Sequence, residues 1–225
     1  MNSLHGATLA FLLAWGTAVG VDLVSWPQAM ISRPLIAGAV TAALVGDLEG
    51  GIRVALVMEL FALDVLPVGA SRYPDYGPAT IGAVAFAAGQ PWQAALGPAV
   101  LLGLLAAVLG GWSLQWIRED NARSIQRNAA GLAAGETRTI ARLQYAGLAR
   151  DVLRSFGLTA VSLAAAAAVG ARMPMVPSLR IVTAVAIGAG LAAAAGGALR
   201  SAGRGARMRW LAAGAGLGLL ITLVR

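Results

Sequence analysis

The stretch "VMELFALDVLPVGASRYPDYGPATIG", Val57–Gly82, places Glu59, Asp64, Arg72 and Asp75 between apolar neighbours. A carboxylate at the centre of a membrane helix costs at least ~2.5–3.5 kcal/mol on insertion scales. Such a group persists only where protein, water or a ligand satisfies it. The stretch therefore points away from a plain bundle of spanning helices and toward broken helices around a polar cavity.

The rest of the chain supplies the membrane. Of its 225 residues, 58% are hydrophobic and 12% charged, and the mean hydropathy is +0.74. A soluble domain carries about 25% charged residues. Uncharged runs at 79–117 and 156–171 exceed or approach the ~20 residues that cross a hydrocarbon core. The predicted fold is all-α, a polytopic integral membrane protein. The opening "MNSLHGATLAFLLAWG" lacks a basic n-region, so the first apolar segment is expected to be retained. Cysteine is absent, which excludes disulfides, thiolate metal sites and cysteine phosphorylation. All seventeen basic residues are Arg, with a net charge of +7. In a membrane chain this reads as Arg gathered in cytoplasmic loops rather than as a nucleic-acid surface.

Apolar segments run 6–24, 34–46, 52–67, 79–89, 92–117, 156–171, 178–199 and 208–224. The second, third and fourth are too short to span comfortably and predict re-entrant or broken helices. "GDLEGG" (Gly46–Gly51) and "PVGASRYPDYGP" (Pro67–Pro78) punctuate them. Residues 118–154 differ, with seven Arg and four acids, and predict a polar helical arm on the cytoplasmic side. Trp112, Trp116 and Trp210 fit an interfacial belt. Three regions follow: a membrane region over 1–117 with re-entrant segments, the arm over 118–154, and C-terminal membrane helices over 155–225. The Ala/Gly-rich tail reads either as a helix-packing face or as compositional bias.

Glu59 is the sharpest signal. It either pairs with Arg53, Arg72 or a helix end, or serves as a ligand carboxylate; nearby polar groups favour the second reading. Asp75 alone reads as a turn former or helix cap. Asp22, with Ser25–Gln28 close behind, combines acid, amide and aromatic within seven residues. Sugars need that mixture: carboxylates and amides take hydroxyls, and aromatic faces cover the ring's C–H surface. Glu49 and Arg53 stand at the spacing of an exposed helix ion pair, and Asp64 is undecided between cavity and interface. No P-loop, metal-ligand cluster or serine–histidine arrangement is present. His5 reads as a solvated terminal residue. No catalytic residue, metal or cofactor is expected of this chain.

"GVDLVSWPQAMISRPLIAGAVTAALVGDLEGGI" (Gly20–Ile52), followed by "MELFALDVLPVGASRYPDYGPATI" (Met58–Ile81), resembles membrane subunit IIC of the mannose/sorbose family of sugar phosphotransferase systems. The likeness covers roughly the first 90 residues. It implies a partner membrane subunit IID, cytoplasmic IIA and IIB that carry phosphate on histidines, and a trimeric assembly in the bacterial cytoplasmic membrane. The membrane pair would pass a sugar inward for phosphorylation by IIB, which needs no catalytic residue from IIC. By the same resemblance, Glu59, Asp75, Asp22, Gln28 and Ser71 would bind sugar. Gly69, Ala70, Pro74, Arg33 and Pro34 would form structural turns. Two rivals remain at this level: an ion-coupled secondary transporter and a non-transporting regulatory scaffold.

Overall fold

The computed structural model describes residues 6–65, 72–174, 176, 179–199 and 209. Every described element is a helix: α1 Gly6–Asp22, α2 Pro34–Val45, α3 Leu48–Ala62, α4 Tyr76–Ala87, α5 Trp92–Arg127, α6 Ala129–Ala133, α7 Thr137–Gly170 and α8 Leu179–Ala198. The expected all-helical fold is the one observed. Residues 200–208 and the apolar segment 208–224 lie outside the described residues apart from Arg209.

Three helices, α5, α7 and α8, are long and apolar enough to cross a membrane. Trp92 and Trp116, both exposed, bracket the apolar part of α5. They stand about 36 Å apart along its axis, which matches a ~30 Å hydrocarbon core with its interfaces. The four-residue turn after α4 and the start of α8 lie at the Trp92 end. There Arg53 bonds Glu49 and stacks over Trp92, 4.3 Å from its ring centroid.

The short segments fold as half-length helices. α2 and α4 have 12 residues each, about 18 Å of axis, and cannot span. α2 and α3 form a tight hairpin through Gly46, whose φ of 76° closes α2 with a left-handed cap that suits a residue without Cβ. Asp47 then caps α3 through Gly50 N (3.0 Å) and takes Gly89 N (3.0 Å), tying the hairpin to the turn after α4. α4 is central, packed by α1, α2, α3, α5 and α7, and every residue from Gly77 to Ala87 is buried. That explains its apolar character on all faces. Its Val84 and Phe86 cluster with Met58, Leu96 and Val100, and its Ile81 clusters with Leu12, Val19 and Leu163. Lipid is as apolar as this core, so close fit rather than water exclusion holds these helices together.

The 118–154 segment is helical, but not a separate element. α5 and α7 run through positions 117 and 154 without a break, and with α6 they form a hairpin beyond the Trp116 level. A 36-residue α5 is about 54 Å long, far more than a membrane needs. The polar arm is the surplus of two spanning helices.

Candidate functional site

Four helix ends meet between the Trp92 and Trp116 levels of α5: the C-termini of α1 and α3 and the N-termini of α2 and α4. The Asp75 amide donates to Ala107 O of α5 at 2.9 Å, which sets this junction about 13 Å from Trp116 and about 22 Å from Trp92 along α5. Helix ends carry unsatisfied amides and carbonyls, so a junction of ends is a polar place by construction.

Asp22, buried at the end of α1, accepts from Ala29 N (Oδ1, 2.6 Å) and Ser32 N (Oδ2, 3.0 Å). These bonds hold a loop in which Gln28 and Met30 have φ of 59° and 62°. Left-handed backbone costs an L-residue about 1–2 kcal/mol, so the loop needs such anchoring. The Gln28 amide donates to Val24 O at 3.3 Å.

Glu59 lies on α3 facing the start of α2. Its Oε1 pairs with Arg33 Nη2, and its Oε2 accepts from Leu35 N at 3.1 Å. Arg33 is extended at the N-cap without a side-chain cap of its own, and Pro34 occupies the first helical turn, where its missing N–H costs nothing. Glu59 thus supplies from α3 the negative charge that the α2 N-terminus favours.

Asp75, at the N-cap of α4, is fully buried. Its Oδ2 meets Arg154 Nη1 of α7 at 2.7 Å, while its Oδ1 makes no hydrogen bond within the described chain. Arg154 Nε bonds Asp151 Oδ1 (3.0 Å), and Nη2 reaches Gly20 O (3.3 Å) and Ser155 Oγ (3.2 Å). The second oxygen of Asp151 takes Ser25 Oγ at 2.6 Å. One guanidinium so links α1, α4 and α7, and the Ser25 bond extends the link to the 23–33 loop. At Gly20 a Cβ would fall 2.4 Å from Ser155 Oγ, so only glycine lets α1 approach this cluster.

A cavity of about 380 Å³ opens at the junction, bounded by Asp22, Gln28, Arg33, Pro34, Tyr73 and Pro74 among others. Its volume is within the range of small-molecule sites. Asp22, Gln28, Arg33, Pro34 and Pro74 are therefore gathered on one cavity. Glu59 and Asp75 do not line it: Glu59 stands behind Arg33, and Asp75 behind Tyr73 and Pro74. Gly69, Ala70 and Ser71 lie outside the described residues. Sequence reasoning missed Arg154 and Asp151. The available signal was an Asp–Arg pair three apart at the start of the apolar run from Phe156, hidden among the seven Arg of the arm.

A family model described as "PTS system sorbose-specific IIC component" matches residues 5–214. The match runs well past the first 90 residues in which motifs were legible. A solved structure described as "Structure of membrane protein" is similar in fold, with a TM-score of 0.66 and 17% identity over 99% of this chain and 94% of that one. No curated protein matches.

Proposed function

The chain belongs to the sorbose-specific IIC family of the sugar phosphotransferase system, and on that premise we propose that it forms, with a IID subunit, the translocation pathway for a sugar phosphorylated on arrival. One observation carries this reading. The two sequence segments that bear the family likeness, Gly20–Ile52 and Met58–Ile81, both contribute to the walls of a single cavity at the helix junction. Residues so distant in sequence and so mixed in chemistry converge where a polar solute can be held.

In this reading Asp22, Gln28 and Ser71 contact the sugar, with Glu59 acting through Arg33 and Asp75 through the placement of Tyr73 and Pro74. Arg154, Asp151 and Ser25 fix the frame. The hairpin 118–154 faces the cytoplasm, since it carries seven Arg whereas the opposite end carries Arg53, Arg172 and Arg180. The membrane is then the bacterial cytoplasmic one, and IIA and IIB act beneath the arm, in assemblies built from IIC–IID units. The half-length helices move against the α5–α7–α8 scaffold, and phosphorylation traps the sugar. A product carrying ~−1.5 to −2 charges meets the Asp22 carboxylate in this cavity, which favours release.

The test is uptake of labelled hexoses by cells carrying this chain with its neighbouring IID and cytoplasmic partners, with and without phosphoenolpyruvate-derived phosphate flux. Phosphorylated sugar should accumulate in the wild type. Unmodified sugar that follows an ion gradient would replace this reading with the secondary transporter. Wild-type cells that take up no hexose would leave the regulatory scaffold.

A further inference from the structure

A second cavity, of about 580 Å³, lies between the 23–28 loop and the parts of α5 and α7 that continue past Trp116. Leu23, Gln28 and Tyr73 line both cavities, so the two chambers share one wall. The outer chamber is bounded by the Asp22 carboxylate and by an Arg33 already engaged by Glu59. The inner chamber has a different character. Two guanidiniums, Arg118 and Arg150, face it, together with Asn121, Ser124 and Gln144. Asp151 also lines it, but both of its oxygens are bonded, one to Arg154 and one to Ser25.

Arg150 is held in place. Its Nε bonds Asp120 Oδ2 (2.9 Å), Nη1 bonds Asn121 Oδ1 (2.8 Å), and Nη2 bonds Ser124 Oγ (3.2 Å). Three of the five N–H groups of a guanidinium are thereby used to fix it, and two are left for a ligand. Arg118 bonds the Tyr73 hydroxyl at 2.7 Å and stacks over its ring. Fixed guanidiniums take phosphate oxygens in preference to neutral hydroxyls. The amides and Ser124 suit sugar hydroxyls, and Leu114, Ile117 and Leu143 supply apolar wall for a ring's C–H face.

We propose that the inner chamber is a binding site for a hexose phosphate, the phosphorylated product, held through its phosphate by Arg118 and Arg150. The proposal rests on the transport reading and adds to it a product site of opposite charge preference, one wall away from the sugar site. The sugar is neutral when it leaves the Asp22 chamber and anionic when it occupies the arginine chamber, so the two sites do not compete for one ligand.

The test uses the full-length chain co-purified with its membrane partner, in phosphatidylcholine nanodiscs, with binding read by calorimetry. The probes are a panel of hexose 6-phosphates and 1-phosphates, the free hexoses, and inorganic phosphate. Wild type should bind at least one hexose phosphate with Kd below about 1 mM. Arg118→Gln and Arg150→Gln should each weaken that binding about tenfold or more, and Arg150→Gln should leave free-hexose binding, which also reports correct folding, within about twofold. Arg118→Lys should fall between wild type and Arg118→Gln. The proposal is overturned if no hexose phosphate binds, if both Gln variants bind it like wild type, or if free-hexose and hexose-phosphate binding are lost together in Arg150→Gln. It is also overturned if nanodiscs containing phosphatidylglycerol abolish the signal, for the pocket would then hold lipid headgroups. Hexose-phosphate binding that persists where no free hexose binds counts against the transport reading alone. The reverse pattern counts against the inner site alone.

Discussion

Asp75 and Arg154, 79 positions apart in sequence, meet at 2.7 Å with both side chains buried. The contact ties the start of α4 to the middle of α7 and, through the chain, holds Tyr73 and Pro74 at the cavity. Asp151 shares the same guanidinium, so two carboxylates depend on one cation. That imbalance makes the three residues unequal.

Arg154→Met should be the most damaging change in the cluster. It leaves Asp75 and Asp151 buried without a cation, a defect worth about 3–5 kcal/mol. Asp75→Asn leaves the Arg154–Asp151 pair intact and replaces a carboxylate that bonds through one oxygen only, so about 1 kcal/mol is expected. Thermal unfolding of the detergent-purified variants checks the order. Equal losses would show that the guanidinium is not the shared support.

Glu59 joins α3 to the N-terminus of α2 by two kinds of bond, to a cation and to a backbone amide. The pair is partly exposed, Arg33 at 37% and Glu59 at 17%, so the ionic part alone contributes little, about 1 kcal/mol or less. The prediction concerns rescue. Exchanging the two residues, Arg33→Glu with Glu59→Arg, keeps the charges but sets a guanidinium with no acceptor against the Leu35 amide. Uptake should fall in Glu59→Gln and should not return in the exchange variant. Recovery in the exchange variant would reduce Glu59 to a simple ion partner.

Much of this was legible in the sequence, and for identifiable reasons. The half-length helices announced themselves because Gly46–Gly51 and Pro67–Pro78 interrupt runs too short to span. Glu59 and Asp75 stood out because charge is rare in such runs. Their partners did not. Arg33 lies 26 positions from Glu59 and Arg154 lies 79 from Asp75, separations at which no local period links one residue to another. Arg154 was further disguised by its neighbours: six other Arg within 118–154 conceal this buried one. The arm was visible as composition, but its continuity with α5 and α7 was not, since helix formers on both sides of Ile117 leave no mark where membrane ends.

Asp22 anchors the loop that carries Gln28, and its two acceptors serve two amides. Asn offers one acceptor and places an N–H against the other amide. Asp22→Asn should cost about 1–3 kcal/mol and speed proteolysis within residues 23–33. Met30→Gly relieves the left-handed backbone at φ 62° and, after glycine's own entropy cost, should be neutral to about 1 kcal/mol stabilising. Limited proteolysis with mass mapping reads both. Unchanged cleavage in Asp22→Asn would mean the loop is held by something other than that carboxylate.

Tyr73 stands between the two cavities, its hydroxyl bonded to Arg118 and its ring beneath the same guanidinium, 4.9 Å from centroid to Cζ. Tyr73→Phe removes the hydrogen bond and keeps the stacking, while Tyr73→Ala removes both. Each interaction contributes about 1 kcal/mol, too little to unfold the protein but enough to loosen a wall. In cells lacking the cytoplasmic phosphocarriers, leakage of unphosphorylated hexose through the complex should rise from wild type to Tyr73→Phe and again to Tyr73→Ala. A barrier formed by the bond alone would give its full effect at Phe; one formed by the ring would give it at Ala. If neither variant leaks more than wild type, the Tyr73–Arg118 contact holds α4 in place without gating the path.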